Sequence, residues 1–137
     1  MSMAQRETPC KGKEDINACV GVIRSFYDRG WLLGTAGNFS VLLSRGPFRL
    51  VITASGIDKG AIAPEHFLQL DALGNVVEGI GRPTAESGLH LAVLESVNAG
   101  AVFHTHSIWA TILSIIHASN DGFYIEGYEM LKGLHGV

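Results

Sequence analysis

Cysteine is nearly absent: Cys10 and Cys19 are the only two in 137 residues, and they form no Cys-x-x-Cys pair. No disulfide framework can rest on them, and reduced thiols of a cytoplasmic protein are expected. An excess of charge is missing as well. The balance is -3 and the basic residues are scattered, so nothing marks a nucleic-acid footprint. The polar stretch from Met1 to Asp15 lacks the apolar core of a secretory signal. A clean apolar run of membrane length is also lacking. Ala99 to Ala118 comes nearest, but it carries His104, His106 and His117 and is broken at Ser107, which argues against a span. Repeats, low-complexity tracts and linkers are not found.

What is present is a globular composition, 47% hydrophobic and 17% charged, outside the disordered class. The length suits one domain over 1–137, large enough to bury about two-thirds of its unfolded surface. Residues Met1 to Lys13 read as a flexible tail. From Glu14 to Arg29, Ile16, Cys19, Val20, Ile23 and Phe26 recur at helical spacing. Gly30 suits the left-handed position after that helix. Phe39 to Leu43 and Phe48 to Thr53 flank Gly46-Pro47 as a hairpin. Phe67 to Leu70 and Val76-Val77 form a second hairpin around Gly74-Asn75. Glu86 to Val97 reads as an amphipathic helix with Leu89, Val93 and Val97 on its apolar stripe. Ala101-Val102-Phe103 is expected as a buried strand running into the histidines. A helix follows from Ile108 to about His117 with Ser107 as its N-cap, then a short strand, Phe123 to Ile125. The order predicts a three-layer α/β/α sandwich, its mostly antiparallel sheet flanked by helices.

Three constellations carry chemistry. In a strand His104 and His106 share a face, about 7 Å apart along the backbone, and two imidazoles converging there are a plausible metal pair. A catalytic zinc usually takes a third protein ligand, for which His66, His90, His117 and His135 are the internal candidates. Two small polar loops, Gly34 to Ser40 and Thr53 to Gly60, should lie at one end of the first hairpin. Their hydroxyls, backbone N–H groups and Lys59 suit a phosphate or other small anion. The third constellation is the carboxylates Glu86, Glu126 and Glu129, candidates for general acid and base.

Thr35-x-x-Asn38, Ser55-Gly56-x-Asp58-Lys59-Gly60, Gly81-Arg82-Pro83-Thr84-Ala85-Glu86 and His104-Thr105-His106-Ser107 resemble, in order and spacing, the motifs of the class II aldolase/adducin family. The segment Glu126 to Gly133 is most similar to the family's dehydratase branch, hydro-lyases of methionine salvage that act on a phosphorylated ketose carrying a methylthio group. The resemblance implies one zinc per subunit, with His104 and His106 as its first two ligands and the third beyond residue 137. It implies that Ser55 and Gly56, with Thr35 and Asn38, cradle the substrate phosphate, Lys59 lying in the same loop. Glu86 matches the acid/base of the aldolase branch and Glu129 that of the dehydratase branch. A cytoplasmic homotetramer without nucleic-acid or membrane partners is implied, as is a missing C-terminal part of the domain. A class II sugar-phosphate aldolase and a non-catalytic, adducin-like interaction module stay open as alternatives.

Overall fold

The structure, a computed structural model, describes residues 11–133; Cys10 and His135 lie outside them. The chain forms two compact units that meet in sequence between His106 and Ser107.

The first unit begins with α1 (Lys11–Asp28), three residues ahead of the expected start. Gly30, at φ 73°, donates to the Tyr27 carbonyl, and Trp31 donates to that of Phe26. That pair of bonds is a Schellman stop, which a residue with a Cβ would adopt only at a cost. Five strands follow: β1 (Asn38–Arg45), β2 (Phe48–Thr53), β3 (Phe67–Leu70), β4 (Val76–Glu78) and β5 (Ala101–His104), with α2 (Ser87–Ser96) before the last. They form one sheet in the order β4-β3-β2-β1-β5, with all four pairings antiparallel.

Side-chain alternation along the strands sorts the core into two layers. Phe39, Val51 and Phe67 pack with Cys19, Val20 and Ile23 of α1. Leu50, Ile52, Leu68 and Leu70 pack with Leu94 of α2. Each fully buried apolar side chain stabilises by about 1.5–3 kcal/mol. The first unit is thus the expected helix–sheet–helix sandwich, and both hairpins stand where turn chemistry put them.

Two expectations for this unit need correction. β5 is a half-exposed edge strand, with Phe103 42% exposed. Among the described residues it has β1 on one side and no strand on the other, and it ends at His104, short of His106. In α2 the inward residues are His90 and Leu94, whereas Leu89 and Val97 are exposed. The helix is rotated so that a histidine meets polar groups of β1.

The second unit holds α3 (Ile108–Ile116), with the Ser107 hydroxyl accepting from the Ala110 N–H as expected. Phe123 to Ile125 is not a strand. A strand is made by its ladder, and this segment pairs with no other among the described residues; Tyr124 is 98% exposed. A short 3-10 turn spans Glu129–Gly133. No described residue of this unit is buried, and no described helix is long and apolar enough to cross a membrane.

Candidate functional site

The two polar loops converge at one end of the β1–β2 hairpin, as their positions before and after paired strands require. Lys59 knits them together. Its N–H donates to the Gly34 carbonyl at 3.0 Å, and its ammonium donates to the carbonyls of Thr35 at 3.0 Å and Ile57 at 2.9 Å. Only 1% of the residue is exposed. Burial pulls its pKa down, and the neighbouring Asp58 carboxylate pulls it back up. An ammonium has three protons, so one remains after both carbonyls are served.

A third segment joins them. Ala54 bridges Pro83, and the Ser55 N–H donates to the Arg82 carbonyl at 2.9 Å. This ties the loop after β2 to the segment that delivers Glu86 at the start of α2. Between the three lies a cleft of about 220 Å³, lined by Thr35, Asn38, Ser55, Gly56 and Lys59 together with Glu86 and His106. The hydroxyls of Thr35, Ser55 and Thr84 and a buried cation suit an oxyanion ligand. Gly37 lets the floor close: a Cβ there would lie 2.5 Å from Leu32 Cδ2 and 2.7 Å from the His104 carbonyl oxygen, at φ 77°.

The histidines stand beside this cleft. Although β5 ends at His104, the His104 and His106 rings stack with centroids 4.8 Å apart, and the His106 N–H is held by the Trp31 carbonyl at 3.0 Å. Asn38 lies opposite His104 in the β1–β5 register. The Glu86 carboxylate accepts from both, from the Asn38 amide and from His104 Nδ1 at 2.6 Å. These donors, Asn38 first, hold the Glu86 carboxyl below its ordinary pKa against the opposing effect of desolvation.

With Nδ1 of His104 engaged by a carboxylate, its Nε2 keeps the lone pair that a metal binds. A carboxylate behind a ligand imidazole is the usual support of zinc histidines, so the donor chemistry fits two of a zinc ion's ligands. No cluster of three His, Cys, Asp or Glu side chains in metal-holding geometry occurs among the described residues. The other described histidines are otherwise employed. His66 Nδ1 accepts from the Ala63 N–H at 3.1 Å, His117 stacks on Phe123, and His90 is fully buried behind Asn38. Cys19 is packed in the α1 layer of the core among Val20, Ile23 and Phe39, where burial pushes its thiol up to about 12.

Thr35, Asn38, Ser55, Gly56, Lys59, Glu86, His104 and His106 are therefore gathered at one end of the first unit. Glu126 and Glu129 belong to the second, where Glu129 is exposed and pairs with Lys132. Ser40 and His90 were not singled out as a working pair from sequence. Ser40 Oγ lies 2.7 Å from His90 Nδ1, and His90 Nε2 lies 2.5 Å from Asn38 Oδ1. The available signal was spacing: Asn38 and Ser40 share a strand face, and Glu86 and His90 are one helical turn apart.

Residues 17–135 match the family described as Class II Aldolase and Adducin N-terminal domain. A methylthioribulose-1-phosphate dehydratase of Pseudoalteromonas translucida is 45% identical over 107 residues, covering 77% of this chain and 49% of that protein. One of Pseudomonas savastanoi is 41% identical over 115 residues, covering 83% and 55%. Among solved structures, the L-fuculose-1-phosphate aldolase of Thermus thermophilus superposes with a TM-score of 0.62 at 32% identity, over 73% of this chain and 50% of that one. The chain spans about half the length of the curated relatives it matches.

Proposed function

The chain belongs to the class II aldolase and adducin family, and on that premise we propose that it carries the phosphate-binding and metal-binding end of a zinc-dependent 5-methylthioribulose 1-phosphate dehydratase. The observation that carries the reading is the cleft itself, where Thr35, Ser55, Gly56 and Lys59 meet Glu86 and His106. The names of the relatives supply the substrate. On this reading the two compact units belong to one family domain, and the parent enzyme is a cytoplasmic homotetramer of methionine salvage.

Zinc, when bound by His104 and His106, supplies Lewis acidity to the substrate's C2 carbonyl and so acidifies C3. The rest falls to the chain's own groups. The Thr35 and Ser55 hydroxyls, the loop at Gly56 and the free proton of Lys59 bind the phosphate and fix the sugar's orientation. Glu86 stays ionised and steadies His104. Glu129 is assigned the proton shuttle. Its carboxylate takes the C3 proton, the C3–H electron pair forms the C3–C4 double bond, and the C4–O bond breaks. The carboxyl then returns the proton to the departing hydroxide, giving water. The resulting enol tautomerises to the 2,3-diketone.

Two measurements test this. Metal content of the chain purified without added metal, beside His104→Ala, should show zinc that the variant loses; no metal in either removes the metal site from this segment. In the parent enzyme, Glu129→Gln should cut diketone formation by orders of magnitude with zinc retained, and near-normal turnover overturns the assignment.

A second reading has its own observation: Glu86, the aldolase branch's acid/base, lines the cleft, and the Asn38 amide holds its carboxyl below the ordinary pKa. A class II sugar-phosphate aldolase would use the same phosphate loops and cleave a C–C bond. Release of dihydroxyacetone phosphate from a ketose phosphate supports it, and a diketone chromophore supports the dehydratase.

A further inference from the structure

We infer that His90 is a positioning residue, the buried link of a one-way hydrogen-bond chain, Ser40–His90–Asn38–Glu86, that fixes which nitrogen of His104 is left bare. The inference rests on the metal-site reading above.

The direction of the chain follows from what each group can do. An ionised carboxylate only accepts. Asn38 must therefore present its amide nitrogen to Glu86 Oε2, which turns its Oδ1 toward His90. An amide oxygen only accepts, so His90 Nε2, 2.5 Å away, carries the proton. In the neutral ring Nδ1 then holds a lone pair, and Ser40 Oγ, at 2.7 Å, donates to it. Burial disfavours the charged form of His90, in keeping with this single tautomer. At the far end Glu86 Oε2 receives His104 Nδ1–H at 2.6 Å. Every proton in the chain points toward Glu86, and turning the Asn38 amide alone would set two acceptors face to face at Glu86 and two donors face to face at His90.

The scaffold draws the links in pairs from β1 and α2, with β5 supplying His104. Ser40 and Asn38 alternate on β1, Asn38 is the cross-strand partner of His104 on β5, and Glu86 and His90 sit one turn apart at the start of α2. Ser40 and His90 are fully buried and Asn38 nearly so. No buried side-chain nitrogen or oxygen among the described residues is left without a partner. A histidine inside a core could simply be a satisfied polar residue. Here its two partners lead to a carboxylate and from there to a candidate ligand, so its loss should be felt at His104, which it does not touch.

The test reads ring tautomers in the metal-free, 15N-labelled full chain, where neither zinc nor turnover enters. The expected spectrum has His90 protonated at Nε2 and His104 at Nδ1. A His90 ring protonated at Nδ1 overturns the inference in the wild type alone, with no variant required to fold. In His90→Leu the Nδ1–H of His104 should lose its protection and the ring should populate both tautomers. In His90→Gln, whose amide can donate to Asn38 Oδ1 from the same place, the wild-type pattern should return. A folded His90→Leu with the His104 ring unchanged also overturns it. Zinc titration with the metal alone adds a scale: direct outer partners of ligand histidines carry about 10- to 100-fold in affinity, so His90→Leu, which acts on His104 through Asn38 and Glu86, should weaken binding measurably but by no more than that range, and His90→Gln should recover most of it. Wild-type tautomers as expected with no zinc taken up would sink the metal reading and leave the chain of bonds standing. Equal zinc affinity in wild type and His90→Leu, with unchanged tautomers, would do the reverse.

Discussion

The unit ending at His106 and the unit beginning at Ser107 solve the problem of apolar surface in opposite ways. The first buries Phe39, Leu32, Leu50, Ile52 and Leu70 completely and even takes in Lys59 and His90, each with hydrogen-bond partners. The second buries none of its described residues, though α3 alone presents Ile108, Trp109, Ile115 and Ile116. Burial is what makes polar groups dependable. In the first unit side chains are pinned by packing from two helical layers, so a carboxylate, an amide and two imidazoles can be held in fixed relation. In the second a short helix and a ladder-free segment rest on local hydrogen bonds. Chemistry that needs fixed geometry is legible in one unit and only assignable in the other, which is why the case for Glu86 is geometrical and that for Glu129 rests on likeness.

The contrast can be broken most forcefully at the core. Phe39→Ala removes a fully buried ring from the α1 layer and should cost about 3–5 kcal/mol. Ile115→Ala, at a site 70% exposed, should stay within about 0.5 kcal/mol. Urea midpoints of the two variants beside wild type check this, and comparable losses would erase the distinction between the units. Gly37→Ala comes next. The left-handed backbone alone costs about 1–3 kcal/mol, and the added methyl must displace Leu32 or the His104 carbonyl. Stability and zinc uptake should therefore fall together; retention of both would mean that the cleft floor is looser than its distances.

A smaller effect reads the depth of the first unit chemically. Burial holds the Cys19 thiol protonated up to about 12, against 9.0 in an exposed thiol. Above pH 9 the unfolded chain then binds fewer protons than the folded one, so stability falls as pH rises through that window, by about 1.4 kcal/mol per unit at most. Lys59 acts with the other sign: its folded pKa is lowered, so its own contribution rises as pH approaches 10.5. The Cys19 share is therefore taken as the difference between the alkaline denaturation curves of wild type and Cys19→Ala, and parallel curves would place the thiol in contact with water.

Much of this arrangement was legible because it is written locally. Hairpins were readable from their turns, the end of α1 from Gly30, and the convergence of the two loops from their places before and after paired strands. What failed depends on neighbours. Ala101 to Phe103 is apolar enough for a central strand, yet period-2 alternation says nothing of which strands are edges, and the topology gives β5 one partner among the described residues. In α2 an apolar stripe existed on paper, but Ser40 and Asn38 offered His90 two hydrogen bonds, and a satisfied imidazole outcompeted Leu89 for the inner face. Phe123 to Ile125 has strand composition without a ladder to join. The site's residues could be named from motif spacing; the order in which they hand protons to one another could not, because it is set by contacts between residues up to 52 positions apart.

The smallest change sharpens the comparison within the second unit. Ser107 caps α3 by accepting from the Ala110 N–H at 3.3 Å, and the Thr111 N–H reaches the Ser107 carbonyl. Ser107→Ala removes the hydroxyl and keeps the carbonyl, at a cost of about 0.5–1 kcal/mol. In a helix of nine residues with no buried side chain, packing contributes little to set against that loss, and short helices are marginal in water. Hydrogen exchange should therefore quicken throughout α3, beginning at Ala110, while amides of the β1–β2 ladder keep their wild-type protection. Exchange confined to Ala110 alone would mean that the helix draws support from something other than its cap. The apolar face formed by Ile108, Ile112, Ile115 and Ile116 would then be the place to look for it.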